Sequence, residues 1–171
     1  MKQIIAFLLL ITACCTAQTK DVFDTARSGS VDEIKSLVQI DKDTINAINA
    51  SGFTPLILAC YRSNNAVAEY LAQNVKDVNY NSSNGTALAA AVIKGNLAIA
   101  KVLLQRNANP NIADSLGVTP LVYAAQFQKI ELVKLLLQHK ANPLVVDKEG
   151  KTPYDYAVFT NNNEIIKLLK K

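Results

Sequence analysis

The chain has 171 residues, half of them apolar and 19% charged, which excludes a disordered, collagenous or multi-span membrane protein and leaves room for one domain or one short repeat array. The formal charge of +4 rests on scattered basic residues, gathered only at Lys167, Lys170 and Lys171, so no stripe could track phosphates and a nucleic-acid partner is disfavoured. One His, no Trp, one Met and three Cys leave few groups for redox, metal or nucleophilic chemistry, which argues against an enzyme.

The chain begins with Met1-Lys2-Gln3, a positive leader, followed by an unbroken apolar run over residues 4–11 and then the small, neutral Thr12-Ala13-Cys14-Cys15-Thr16-Ala17. This three-part pattern predicts a secretory signal peptide over residues 1–17. The run is too short for the roughly 20 residues that span a bilayer. Cys15-Thr16-Ala17 suits cleavage before Gln18, releasing a mature domain over residues 18–171 that is periplasmic or secreted. Ile11-Thr12-Ala13-Cys14 also resembles a bacterial lipobox, and the alternative is a lipoprotein anchored to a membrane through Cys14. Either way the mature chain is not inserted in the bilayer. Cleavage before Gln18 leaves Cys60 as the sole thiol, so no internal disulfide can form, and its apolar segment Pro55-Leu56-Ile57-Leu58-Ala59-Cys60 marks it as a core residue.

Beyond the leader one pattern recurs. Thr54-Pro55-Leu56 returns as Thr86-Ala87-Leu88, Thr119-Pro120-Leu121 and Thr152-Pro153-Tyr154, at steps of 32, 33 and 33 residues. A fixed period of this size predicts a solenoid. An Ala stands five places after each Thr, at Ala59, Ala91, Ala124 and Ala157, and Gly52, Gly117 and Gly150 stand two places before three of them. Thr can cap a helix and Pro fits the first helical position, so each triplet predicts a helix start. The Ala lets helices approach, and Gly117 permits a turn with positive φ. A second helix follows in each unit, most clearly over residues 97–104 and 130–137, with a wide apolar face that needs neighbours on both sides. Pro110 and Pro143 then end the helical run.

These residues are similar to the ankyrin repeat over about residues 20–171, with Asp114-Ser115-Leu116-Gly117-Val118-Thr119-Pro120-Leu121 and Asp147-Lys148-Glu149-Gly150-Lys151-Thr152-Pro153 the best matches. The resemblance implies an all-α solenoid of helix-turn-helix units with protruding loops, in five units over about 20–48, 49–80, 81–113, 114–146 and 147–171. The first, with Val22-Phe23-Asp24-Thr25-Ala26-Arg27-Ser28-Gly29-Ser30, looks like an N-terminal capping unit. Three departures carry expectations. Ile57, Ala89, Val122 and Asp155 stand where the family has His, so its hydrogen-bond chain between repeats is missing or replaced. The third unit is one residue short before Thr86, so its loop sits differently. Lys140 and Val75 occupy places where a left-handed Gly closes the second helix, predicting strain or a shifted cap.

His139, the only imidazole, lies at a helix end with no partner in sequence, and Asn81-Ser82-Ser83 fits a glycosylation sequon to which no functional weight attaches. No catalytic set, metal-ligand motif or phosphate-cradling loop appears, so no cofactor and no metal are expected. Ankyrin proteins most often engage partners through loop tips and the exposed side of the first helix. Carried over by register, that surface is Phe53, Tyr61, Arg62, Ile93, Lys94, Leu116, Val118, Gln126 and Phe127. Phe53, Tyr61, Ile93, Leu116, Val118 and Phe127 should form one exposed apolar strip on the concave side, flanked by Arg62 and Lys94. The resemblance therefore implies a monomeric, non-enzymatic protein-binding module. The alternatives are an immunity protein or inhibitor of a secreted toxin or hydrolase and, from another class, an enzyme or small-molecule binder.

Overall fold

Four threonine hydroxyls start four of the helices. In the computed structural model, which describes residues 21–170, Thr54, Thr86, Thr119 and Thr152 accept hydrogen bonds from the N–H groups of Ile57, Ala89, Val122 and Asp155. Each satisfies a donor that the first helical turn leaves open. Pro55, Pro120 and Pro153 take the first helical position, where no intrahelical N–H is lost. Asp21 caps the first unit through the N–H of Asp24 at 2.7 Å. The expected signal peptide, its cleavage site and the lipidation alternative at Cys14 lie outside the described residues.

The helices come in pairs: α1 (Val22–Ser28) with α2 (Val31–Ile40), α3 (Pro55–Arg62) with α4 (Asn65–Asn74), α5 (Ala87–Ile93) with α6 (Leu97–Gln105), α7 (Pro120–Gln126) with α8 (Ile130–Gln138), and α9 (Pro153–Phe159) with α10 (Asn163–Leu169). Among the described residues there is no strand, only an isolated bridge between Ser82 and Gly85. The odd-numbered helices pack side by side in an inner layer, the even-numbered ones in an outer layer, and each pair closes on itself. Ala59, Ala91, Ala124 and Ala157 are completely buried in the inner layer, as are Leu71, Leu103 and Leu136 in the outer one. One apolar cluster runs from Val22 to Leu169, because each unit hides its faces only against its neighbours. Cys60 is fully buried in that cluster, and desolvation pushes its thiol up to about 12. It is a core residue, as the sequence indicates.

Turns between and after the helices need left-handed backbone. Ser63, Gly95, Gln128 and Asn161 link the members of a pair at φ between 53° and 69°, a region costly for residues with a Cβ. Asn107 and Lys140 hold the same conformation after α6 and α8, at 62° and 64°. Val75 does not. It is extended at φ −70°, so the two expected outcomes are divided between the two residues: strain at Lys140 and a shifted cap at Val75.

The missing His column is replaced by asparagines at a different register. Asn46, Asn79 and Asn111 accept, on their side-chain oxygens, the N–H groups of Lys76, Asn109 and Asn142 at 2.8, 2.7 and 2.7 Å. Asn79 and Asn111 also donate to the carbonyls of Asn107 and Lys140. Each bond reaches into the next unit. Asn64 ties the second pair back to the first through the carbonyls of Ala26 and Gly29.

The loops before α3, α7 and α9 share one geometry. Asn49, Asp114 and Asp147 each accept two N–H groups, from the second and fourth residues onward, on one side-chain oxygen. The shortened third loop instead closes through Ser82, whose backbone exchanges both bonds with Gly85. It does sit differently. Successive loops are joined by the N–H of Ser115 to the carbonyl of Ser83 and that of Lys148 to the carbonyl of Leu116. At Gly117, φ is +79° and a Cβ would lie 3.1 Å from the Asp147 Cα; only Gly fits where one loop crosses the next.

Candidate functional site

The C-terminal ends of the inner helices and the tips of the loops present one row of side chains per unit. At one register the row reads Tyr61, Ile93, Gln126 and Phe159 along the stack, and at the next Arg62, Lys94, Phe127 and Thr160. Arg62, Lys94 and Gln126 are exposed, and Phe53, Tyr61 and Ile93 are half-buried. Leu116 is 61% exposed and Phe127 43%, a large apolar exposure on adjacent parts of one unit. Phe53 meets Tyr61 edge-on with ring centroids 6.3 Å apart, and Phe127 lies parallel to Tyr123 at 6.1 Å.

Val118 departs from expectation. It retains only 9% of its surface and belongs with the buried residues, so it is not part of an exposed strip. Its N–H is bound by the Asp114 carboxylate at 2.9 Å, and its carbonyl accepts the Asp114 N–H at 3.1 Å. These two bonds close the loop at its base and hold Val118 there, while Leu116 two residues earlier occupies the tip.

Register alone does not single out the polar floor of this face. Tyr123 donates its hydroxyl to the second carboxylate oxygen of Asp114 at 2.6 Å, and Tyr156 does the same to Asp147 at 2.6 Å. Both Asp side chains are thus held by a phenol and two backbone N–H groups. Desolvation pushes Asp147 up, but the Tyr156 hydroxyl and the N–H groups of Lys151 and Glu149 outweigh it and leave the carboxyl below its usual range. Tyr156 is raised to about 12, chiefly by its bond to Asp147 and then by desolvation. Desolvation and the bond to Asp114 raise Tyr123 further. Tyr61 is raised by burial and by the charge of Asp114. The available signal was an Asp nine places before a Tyr in two successive units; Asn49 with Leu58 at the same spacing, and Ser82 with Ala90 eight apart across the shortened loop, break the pattern in the other two. Leu58 and Ala90 are buried, so this position of the inner helix turns from aliphatic to phenolic along the stack.

A second apolar exposure lies at the C-terminal end. Phe159 is 88% and Val158 49% exposed, beside an open groove of about 340 Å³ lined by Lys151, Asp155, Tyr156, Val158 and Phe159. Leu144 and Val146 add exposed apolar surface on the preceding loop. His139 is exposed at the end of α8. Among the described residues no group of His, Cys, Asp and Glu could hold a metal ion, and no helix is long and apolar enough to cross a membrane.

A family model described as ankyrin repeats, with three copies, matches residues 22–114 and 107–171. The Rattus norvegicus protein named ankyrin repeat and SAM domain-containing protein 6 is 31% identical over 101 residues, which is 58% of this chain and 11% of the relative. The Mus musculus protein fem-1 homolog A-like is 34% identical over 90 residues, 52% of this chain and 14% of the relative. The chain therefore spans only about a tenth to a seventh of the length of these curated relatives.

Proposed function

We propose, for a chain that belongs to the ankyrin-repeat family, that it is an exported, non-enzymatic module that grips one protein partner on its concave face. Ankyrin repeats are generally protein–protein interaction modules, and that much comes with the family. Export rests on the leader, apolar run and small residues of 1–17. The concave assignment rests on a single observation: Leu116 at 61% and Phe127 at 43% exposure crown an inner helix and its loop, leaving a large apolar surface in solvent. A rigid stack holds such a surface ready before binding, so little ordering entropy is lost on association.

Affinity capture from a periplasmic extract, with the chain and its Tyr61→Ala/Phe127→Ala variant as paired baits, tests the docking face. Truncating a central aromatic anchor costs about 2 kcal/mol or more of binding, so a partner held by the first bait should be lost from the second while circular dichroism stays unchanged. Retention at equal affinity moves the docking face to the outer helices. The intact mass of the exported protein tests the processing: a chain starting at Gln18 is expected, and a diacylglyceryl adduct on Cys14 overturns it.

A further inference from the structure

The sign of the charge on this face says what kind of partner it fits. The carboxylates of the inner helices and their loops are already engaged. Asp24 pairs with Arg27 and Glu149 with Lys151, each at 2.7 Å. Asp155 takes the N–H and hydroxyl of Thr152 at 2.7 and 2.6 Å. Asp114 and Asp147 are held by phenols and backbone N–H groups. Arg62 and Lys94, by contrast, are exposed and form no ion pair among the described residues. The outer layer is of mixed sign, with Lys134 between Glu131 and Glu164 at 2.9 and 3.0 Å. In the central units Asp114 keeps its negative charge but is buried beneath its loop, so the exposed charges at the ends of the inner helices are Arg62 and Lys94, both positive.

These cations also have an order. Arg62 follows Tyr61, Lys94 follows Ile93, and Phe127 occupies the same register one unit further along. The row reads cation, cation, aromatic across α3, α5 and α7, which pack in succession. Packed helices lie about 8–10 Å apart, and a polyproline-II segment advances about 3.1 Å per residue and returns its side chains to the same face every three residues or so, so one unit corresponds to about one turn of such a partner. We infer that the partner presents an acidic segment in the polyproline-II conformation with two carboxylates about three residues apart and an apolar side chain about three residues beyond, the carboxylates meeting Arg62 and Lys94 and the apolar group meeting Phe127 and Leu116. This rests on the concave reading above and adds the chemistry of the occupant.

The test is selection of a displayed random linear-peptide library on the full chain, followed by titration of the enriched peptides. Enrichment of Asp or Glu at a spacing of three, with an apolar residue three further along, is expected. The Arg62→Glu/Lys94→Glu variant should bind these peptides at least roughly tenfold more weakly with its circular dichroism unchanged, and raised salt should weaken the wild type. Enriched peptides that lack acidic residues, and that lose binding on Phe127→Ala but not on charge reversal, overturn the acidic partner and leave the concave face standing. Binding untouched by charge reversal and by Tyr61→Ala/Phe127→Ala overturns both, while the absence of any enriched peptide overturns the acidic linear segment and leaves the concave face standing. Equal competition by a single-stranded DNA oligonucleotide overturns the inference in favour of a nucleic acid.

Discussion

At the scale of single residues, the two phenol–carboxylate bonds make the stability of the C-terminal half depend on pH. The Asp147 carboxyl is held below its ordinary value, so its contribution is present above the unfolded value near 3.8 and is lost as pH falls through the folded one. Tyr156 works on the alkaline side. Its unfolded phenol ionises at 10.0 and its folded one at about 12, so stability is complete below pH 10 and drains away as pH rises towards 12. Tyr123 is shifted in the same direction. A Tyr123→Phe/Tyr156→Phe variant should therefore be less stable at neutral pH, by about 1.5 kcal/mol per bond, the low end for a bond to a charged group because both phenols are only part-buried. It should also lose less than the wild type between pH 10 and 12, as read by urea denaturation across that window. Parallel alkaline profiles would show that the phenols do not carry the dependence.

At the scale of the element, the caps decide where inner helices begin. The Thr119 hydroxyl, on a residue 1% exposed, accepts the N–H of the fully buried Val122, so removing it leaves a buried donor without a partner. Thr119→Ala should lower unfolding free energy by about 0.5–2 kcal/mol in urea titration, and Thr119→Ser, which keeps the acceptor, should lose less. Much of this was legible from sequence. The Thr-Pro pair, its spacing and the positive-φ Gly work within four or five residues, and a local rule needs no knowledge of neighbours. What Lys140 and Val75 do at their helix ends was legible only as a pair of alternatives, because each unit resolves its cap by the chain that follows it.

At the scale of the molecule, the main helix–helix contacts among the described residues run within a unit and to the next one. Damage should spread the same way. Leu136 is wholly buried in α8, and Leu136→Ala should cost about 2–5 kcal/mol. Hydrogen exchange should report the loss of amide protection mainly in α6, α7, α8 and α10, with α1 and α2 least affected. A uniform loss along the array at a stability that leaves the chain folded would contradict a nearest-neighbour stack.

The sequence by itself determined the period, the helix starts, the burial of Cys60 and the all-α solenoid, because these follow from residue types at short, fixed spacings. It also placed Tyr61, Arg62, Lys94, Leu116 and Phe127 on one face by register. Only the tertiary structure decided that Val118 is buried while Leu116 is exposed, since that depends on how the Asp114 loop closes on itself. The Asn79 and Asn111 links depend on groups about one period away, brought into reach by the stacking of units. The exposure of Arg62 and Lys94 beside a buried Asp114 has the same origin. It appears only once the Asp114 loop has closed over its own carboxylate, and a residue count cannot tell a buried charge from an exposed one.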